Sequence, residues 1–186
     1  LDLFDTARRL FVWDGYAEIG IDHFGAPDDG LAIAQKTGKL RRNFQGYTDD
    51  TSEVLIGLGA SSISRFPQGY AQNAPATGAY TAAIREGRFA TSRGHAFRGE
   101  DRLRARMIEM LMCDFRIDKA ELVRDFGADA SVLAEMFRRT SQLFEGLVQI
   151  TEDGLFLPSE VRPLTRMVAR CFDAYDLSKA GHSSAI

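Results

Sequence analysis

Apolar residues recur at helical spacing from the first turn of the chain: Leu3, Ala7, Leu10 and Phe11 form one stripe, with Phe4 beside it. Asp14-Gly15 then reads as a turn, and Ala17, Ile19 and Ile21 alternate with Glu18 and Gly20 as in a strand. Leu31, Ala32, Ala34 and Gln35 predict a short helix stopped by Gly38. Val54, Leu55 and Ile56 predict a second short strand, running straight into Gly57-Leu58-Gly59. Helix, strand, helix and strand in this order predict the last strands and helices of a partial α/β barrel or open sheet. The stripe starts directly after Leu1 without a lead-in, which predicts that the chain is the C-terminal part of a longer protein.

After Phe66 the pattern changes. Pro67, Gly69, Asn73, Pro75 and Gly78 predict a connection, so residues 1–66 are expected as the end of a barrel and 67–186 as a second, mostly α domain. Leu103, Met107, Met110 and Leu111 follow helical spacing, and Ile108, Met112 and Phe115 widen the apolar face as in a central helix. A short helix is expected over Lys119 to Asp125, then a longer one carrying Leu133, Met136, Phe137, Thr140 and Phe144. Leu147 to Ile150 and Leu155 to Leu157 flank Thr151-Glu152-Asp153-Gly154, whose Asp-Gly pair predicts a tight β-hairpin with positive-φ turn residues. Pro163 suits the first turn of a final helix buried through Leu164, Met167, Val168, Cys171, Phe172 and Tyr175. Three helices, one hairpin and a further helix predict a winged-helix-like unit.

Composition narrows the functional classes. With 23 Lys and Arg against 26 Asp and Glu, the net charge of −3 offers no bulk attraction to phosphate backbones or acidic membranes, so neither nucleic acid nor membrane is an expected partner. The sequence has neither a secretory leader nor an apolar run of membrane-spanning length, and we expect a cytoplasmic monomer. Cys113 and Cys171 lie far apart in apolar helical patterns, as buried free cysteines do, and no metal site is expected in this chain.

In barrel enzymes chemistry sits at the C-terminal ends of strands, where Asp22-His23 and Gly57 to Ile63 are expected. His23 is the candidate catalytic residue, as donor, acid or base, with loop anchoring as its alternative role. Gly57-Leu58-Gly59-Ala60-Ser61-Ser62 lacks the third glycine of a dinucleotide loop, yet its glycines permit close backbone approach to a ligand. Arg102, Arg104 and Arg106, alternating with Leu103 and Met107 at a helix start, are expected at the surface.

One stretch is more particular. The segment D-H-F-G-A-P-D-D-G-L-A-I-A-Q-K-T-G-K-L-R-R-N-F-Q-G-Y-T, Asp22 to Thr48, closely resembles the oxygen-independent coproporphyrinogen III oxidases, radical S-adenosylmethionine enzymes of haem biosynthesis. The likeness continues in D-G-Y from Asp14, L-I-G-L-G-A-S-S-I-S from Leu55, Y-A-Q-N from Tyr70, I-E-M-L-M-C-D-F-R-I-D from Ile108 and C-F-D-A-Y from Cys171. It implies a reaction in which a reduced 4Fe-4S cluster cleaves S-adenosylmethionine and the resulting radical abstracts a propionate β-hydrogen. Loss of carbon dioxide and an electron then leaves a vinyl group, twice per coproporphyrinogen III.

By the same resemblance, Gln45 and Ile63 correspond to cofactor contacts, and Arg41, Arg42 and Arg65 become candidates for gripping propionates. An electron donor and an electron acceptor are implied but not identified. The family's cluster-binding cysteine motif is absent from this sequence, so the cluster is expected on the remainder of a longer enzyme, with this chain inactive alone. A haem-chaperone-like relative is the alternative within the same superfamily. A winged-helix nucleic-acid binder presenting Arg138 and Arg139 is the alternative outside it.

Overall fold

The computed structural model describes residues 2–175. Helix α1 (Asp2–Trp13) leads into an antiparallel hairpin of β1 (Ala17–Ile19) and β2 (His23–Gly25). Asp29 caps the short helix α2 (Gly30–Lys36) by accepting from the Leu31 amide at 2.8 Å, and Gly38 follows its end with a φ of +67°. Strands β3 (Arg41–Arg42) and β4 (Tyr47–Thr48) then pair across the loop that joins them.

The next stretch departs from expectation. Strands β5 (Ile63–Phe66), β6 (Gly69–Asn73) and β7 (Thr91–Ala96) form an antiparallel meander, with helix α3 (Thr77–Arg85) between the last two. Residues 67–78 are therefore strand and helix start as much as connection. Pro67-Gln68 forms the turn between β5 and β6, so the expected boundary at 66/67 cuts a hydrogen-bonded hairpin. The meander was hard to read because G-Y-A-Q-N and T-S-R-G-H-A carry no apolar alternation. Its glycines are needed for contact, since a Cβ on Gly69 would lie 2.0 Å from the His95 carbonyl oxygen.

Val54 to Ile56 does not form the expected strand; it makes a single bridge, Leu55 to Arg65, and leaves Val54 and Ile56 exposed. Every strand pair among the described residues is antiparallel, so the predicted barrel end is not built here as parallel strands. Short connections join β1–β2, β3–β4, β5–β6 and β9–β10, too short for the crossover a parallel pair needs, and the helix-bearing connections to β7 and β10 also return antiparallel.

The second half matches its pattern closely. Helix α4 (Asp101–Asp114), strand β8 (Arg116–Asp118), helices α5 (Lys119–Phe126) and α6 (Ala130–Leu143), and strands β9 (Gln149–Thr151) and β10 (Gly154–Phe156) follow in order, the sheet running β8-β10-β9. Helix, strand, two helices and two strands follow one another here, with β8 a strand the sequence reading missed. Asp118 caps α5 through the Glu121 amide, 2.9 Å, and Asp129 caps α6 through the Ser131 amide, 2.7 Å. The hairpin turn uses Glu152 and Asp153 without positive φ; Gly154 sits in β10, where a Cβ would meet the Ile117 carbonyl oxygen of β8 at 2.0 Å.

The expected final helix is broken into a 3-10 turn (Ser159–Leu164), helix α7 (Thr165–Ala169) and a second 3-10 turn (Arg170–Phe172). Its buried side is Val161, Thr165, Val168 and Phe172, while Met167 and Tyr175 are exposed. Pro163 lies inside the first turn, where it has no amide to donate.

One large core joins α4, β8, α5, α6, β10 and α7 through Leu111, Leu122, Leu133, Phe137, Leu155 and Val168. Burying each such leucine contributes roughly 1.5–3 kcal/mol. A smaller cluster of Ile19, Ala32, Ala34 and Leu40 closes on Cys113 of α4. The α1 stripe has the expected helical form but is largely open, with Leu3 88% and Leu10 61% exposed. Phe11 stacking on Phe24 at 4.9 Å and Arg8 paired with Glu18 at 2.7 Å hold that helix to the β1–β2 hairpin.

Candidate functional site

The site region forms where the first half meets the C-terminal end of α4. A helix leaves its last carbonyls without intrahelical donors. Here Tyr47 Oη donates to the Met112 carbonyl at 3.0 Å and Gln35 Nε2 to the Cys113 carbonyl at 2.8 Å. The same two side chains accept the Ile21 and Gly20 amides, at 2.9 and 2.8 Å. Gly20 has to be glycine, because its Cβ would fall 2.1 Å from the Tyr47 ring at a φ of +56°. The F-Q-G-Y-T segment is thus fixed by its tyrosine, whose hydroxyl stays protonated as burial pushes its pKa up.

Gln45 sits on the exposed loop between β3 and β4, its amide nitrogen accepted by Asn43 Oδ1 at 2.8 Å. Phe44 beside it rests edge-on against Tyr70 of β6, centroids 5.0 Å apart. Ile63 opens β5 opposite Gln72 and is half-buried. Neither Gln45 nor Ile63 lines the cavities described below.

The 57–62 loop is held by side chains of β6 and α3. Asn73 Nδ2 donates to the Gly57 and Gly59 carbonyls at 3.2 and 3.0 Å, and the Gly59 amide donates to Tyr80 Oη at 3.1 Å. Gln72 Nε2 reaches the Ser61 carbonyl at 2.9 Å. Two residues of the Y-A-Q-N motif therefore shape the glycine loop.

Arg42 and Arg65 share one cavity of ≈ 230 Å³, between β3, β5 and α4. Arg41 does not join them; its Nη1 donates to the Leu40 carbonyl at 2.9 Å. The same cavity holds Arg102 and Arg106, and the second corrects the sequence reading. Arg106 is not a surface residue: its side chain is 13% exposed and bonds Glu109 and Glu121, each at 2.7 Å. Those carboxylates hold its pKa above the ordinary arginine value against the opposing effect of burial. Spacing carried the missed signal, since residues four apart share a helix face and alternate ones do not. Arg104, on another side, pairs with Glu100 at 2.8 Å.

His23 lies elsewhere. Its Nδ1 is 2.8 Å from Asp22 Oδ1, its ring meets Tyr47 edge-on at 5.0 Å, and Asp22 also accepts from Arg166 at 2.9 Å. It lines a separate cavity of ≈ 670 Å³ with Arg8, Glu18 and Arg162.

Two thiols cannot supply the ligand set of an iron-sulfur cluster. Cys113 is fully buried and its thiol is pushed up to about 12 by desolvation, the reverse of what a thiolate ligand needs. Among the described residues no group of three or more His, Cys, Asp or Glu side chains is arranged to hold a metal. No described helix is long and apolar enough to cross a membrane. Arg138 and Arg139 of α6 are both engaged by Glu135, at 2.8 and 2.7 Å.

No family model matches the chain. Relatives do: the oxygen-independent coproporphyrinogen III oxidase of Paracoccus denitrificans is 63% identical over 186 residues, covering 100% of this chain and 41% of the relative. That of Cereibacter sphaeroides is 56% identical over 178 residues, 96% of this chain and 40% of the relative. Among solved structures, coproporphyrinogen III oxidase from Escherichia coli, described as a radical SAM enzyme, superposes with a TM-score of 0.85 at 36% identity, over 94% of this chain and 41% of that one. By sequence and by fold, then, the chain is similar to a C-terminal portion of the oxygen-independent coproporphyrinogen III oxidases and spans about two-fifths of their length.

Proposed function

We propose that this chain serves, as the C-terminal portion of a radical S-adenosylmethionine enzyme, in the oxidative decarboxylation of two propionates of coproporphyrinogen III to vinyl groups. The observation that supports this reading best is the 63% identity that runs through all 186 residues of the chain. When bound, the cluster and S-adenosylmethionine supply the radical chemistry; the cluster belongs to a part of the enzyme outside this chain.

What this chain adds is binding and shielding. The Gln45 amide, exposed and making no side-chain hydrogen bond among the described residues, is free to donate to the carboxylate of S-adenosylmethionine or accept from its amine. Ile63 adds apolar contact. Arg42 and Arg65 offer the guanidinium pair suited to a propionate, and the antiparallel and helical layers after residue 66 would cover the reaction from water. His23, bonded to Asp22, is the candidate proton-handling group on the other side of Tyr47. We place the enzyme in the cytoplasm as a monomer using a separate electron donor and acceptor.

The reading frame upstream of Leu1 tests the proposal. A C-x-x-x-C-x-x-C motif in it is the expected result, and a complete reading frame without one would end the catalytic assignment. Given the motif, Gln45→Ala in the whole enzyme should raise the S-adenosylmethionine concentration needed for half-maximal rate without changing the circular dichroism spectrum.

A further inference from the structure

The arginine cavity is half of a longer trough. A second cavity of ≈ 260 Å³ adjoins it and shares Tyr70, Phe97 and Ala105 with it. Its walls add Ile108 and Phe172, with Asp101 and Arg104 as charged members. The aromatic floor is continuous, Tyr70 meeting Phe97 edge-on at 4.9 Å and Phe97 meeting His95 at 6.2 Å.

Charge is distributed unevenly along this trough. Arg106 is neutralised by Glu109 and Glu121, and the other Glu109 oxygen accepts the Arg42 backbone amide at 3.1 Å. That leaves Arg42, Arg65 and Arg102 without an ion pair among the described residues, against the one carboxylate of Glu53. Arg42 Nε is buried and has no hydrogen-bond partner, an unsatisfied donor at the cavity wall. In the second cavity the Asp101 carboxylate accepts from Tyr175 Oη at 2.8 Å and from the Arg98 amide at 2.8 Å and lies 3.1 Å from His95 Nε2, and Arg104 is paired with Glu100, so neither offers a free charge.

A free carboxylate would be drawn to the unpaired guanidinium groups of the first cavity, while an apolar ring would settle beside them on Tyr70 and Phe97. We infer that this trough is a binding site for a carboxylate-bearing macrocycle, with Arg42, Arg65 and Arg102 gripping one propionate edge and Tyr70 and Phe97 carrying the ring. The inference rests on the proposed substrate and names a subsite for it. Arg102, Tyr70 and Phe97 are its new members. Tyr70 suits the task because burial pushes its phenol pKa up and keeps it a donor, despite the opposing effect of Arg65.

Coproporphyrin III, the stable aromatic counterpart of the porphyrinogen, and its tetramethyl ester are the probes, titrated anaerobically into the full-length protein that carries this chain. Binding is read from porphyrin fluorescence anisotropy. The acid should bind at least about tenfold more tightly than the ester, because only the acid can form charge-assisted bonds to guanidinium. Joint Arg65→Gln and Arg102→Gln substitution should weaken acid binding by about tenfold or more and leave ester binding unchanged. Arg139→Gln, engaged with Glu135 on α6, should change neither.

Equal affinity for acid and ester, acid binding that survives the double substitution, or no binding to the unsubstituted protein would each overturn the site. The ester comparison holds even if the double variant folds poorly. Decarboxylation at the normal rate in the double variant would remove the trough and leave the enzymatic reading standing. Selective acid binding without any decarboxylation would do the reverse.

Discussion

The two halves of this molecule treat the same kind of residue in opposite ways. From Asp101 onward, leucines and phenylalanines at helical spacing bury one another, as Leu111, Leu122, Leu133 and Phe137 do. Before it, Leu3, Trp13, Ile56 and Leu58 stand largely exposed, and strands pair in twos and threes without a common sheet. Stability within this chain therefore resides mainly in the second half, whereas the first half adds short strands and helices whose small cluster closes on Cys113 of α4. The trough and the F-Q-G-Y-T loop lie at that seam. Helix α4, which lines the trough and accepts the Tyr47 hydroxyl, is what positions them.

Substitutions rank by how strongly they test this contrast. Phe137→Ala should destabilise the chain by about 3–5 kcal/mol in urea denaturation, the range for deleting a buried phenylalanine. A loss under 1 kcal/mol would mean that the second half is not the stabilising one. Gly154→Ala should cost roughly 1–3 kcal/mol by forcing β10 away from the Ile117 carbonyl at an unfavourable φ. Tyr47→Phe removes the hydroxyl that joins Ile21 to Met112, and a loss of about 1–2 kcal/mol is expected, with faster amide exchange at Ile21. At the small end, Leu58→Ser on the exposed glycine loop should stay within about 0.5 kcal/mol. A large effect there would show that the exposed apolar residues of the first half are buried in solution.

Acidity offers a further probe of the seam. Asp114, in the last turn of α4, has its carboxyl pKa raised chiefly by desolvation. A group held above its unfolded value contributes stability below the unfolded pKa and loses it as pH rises through the folded one. Asp114→Asn should thus be more stable than the parent at neutral pH and gain nothing near pH 3. The pH dependence of the difference in urea midpoint reads this directly.

The contrast also explains what could be read in advance. Helices α4, α5 and α6 were legible because their apolar spacing reports burial within the chain, and Asp118, Asp129 and Gly127 mark their ends. The β5–β6–β7 meander was not, since its residues face neighbours through backbone, glycine and polar contacts that leave no hydrophobic period. The α1 stripe shows the converse case: correct helical periodicity without burial. Around the arginine cavity, Arg42 and Arg65 were candidates through the cations that the resemblance implies, and only the fold brings Arg102 and Arg106 to them and sends Arg41 away. Tyr47, read as part of a motif, proves to hold the loop in place.

The most direct test is anaerobic turnover by the full-length protein carrying this chain, supplied with coproporphyrinogen III, S-adenosylmethionine, a low-potential reductant and an electron acceptor. Release of carbon dioxide and a product with two propionates converted to vinyl groups is the expected result. Unchanged coproporphyrinogen III in a protein with its cluster intact, together with stable haem binding, would contradict it.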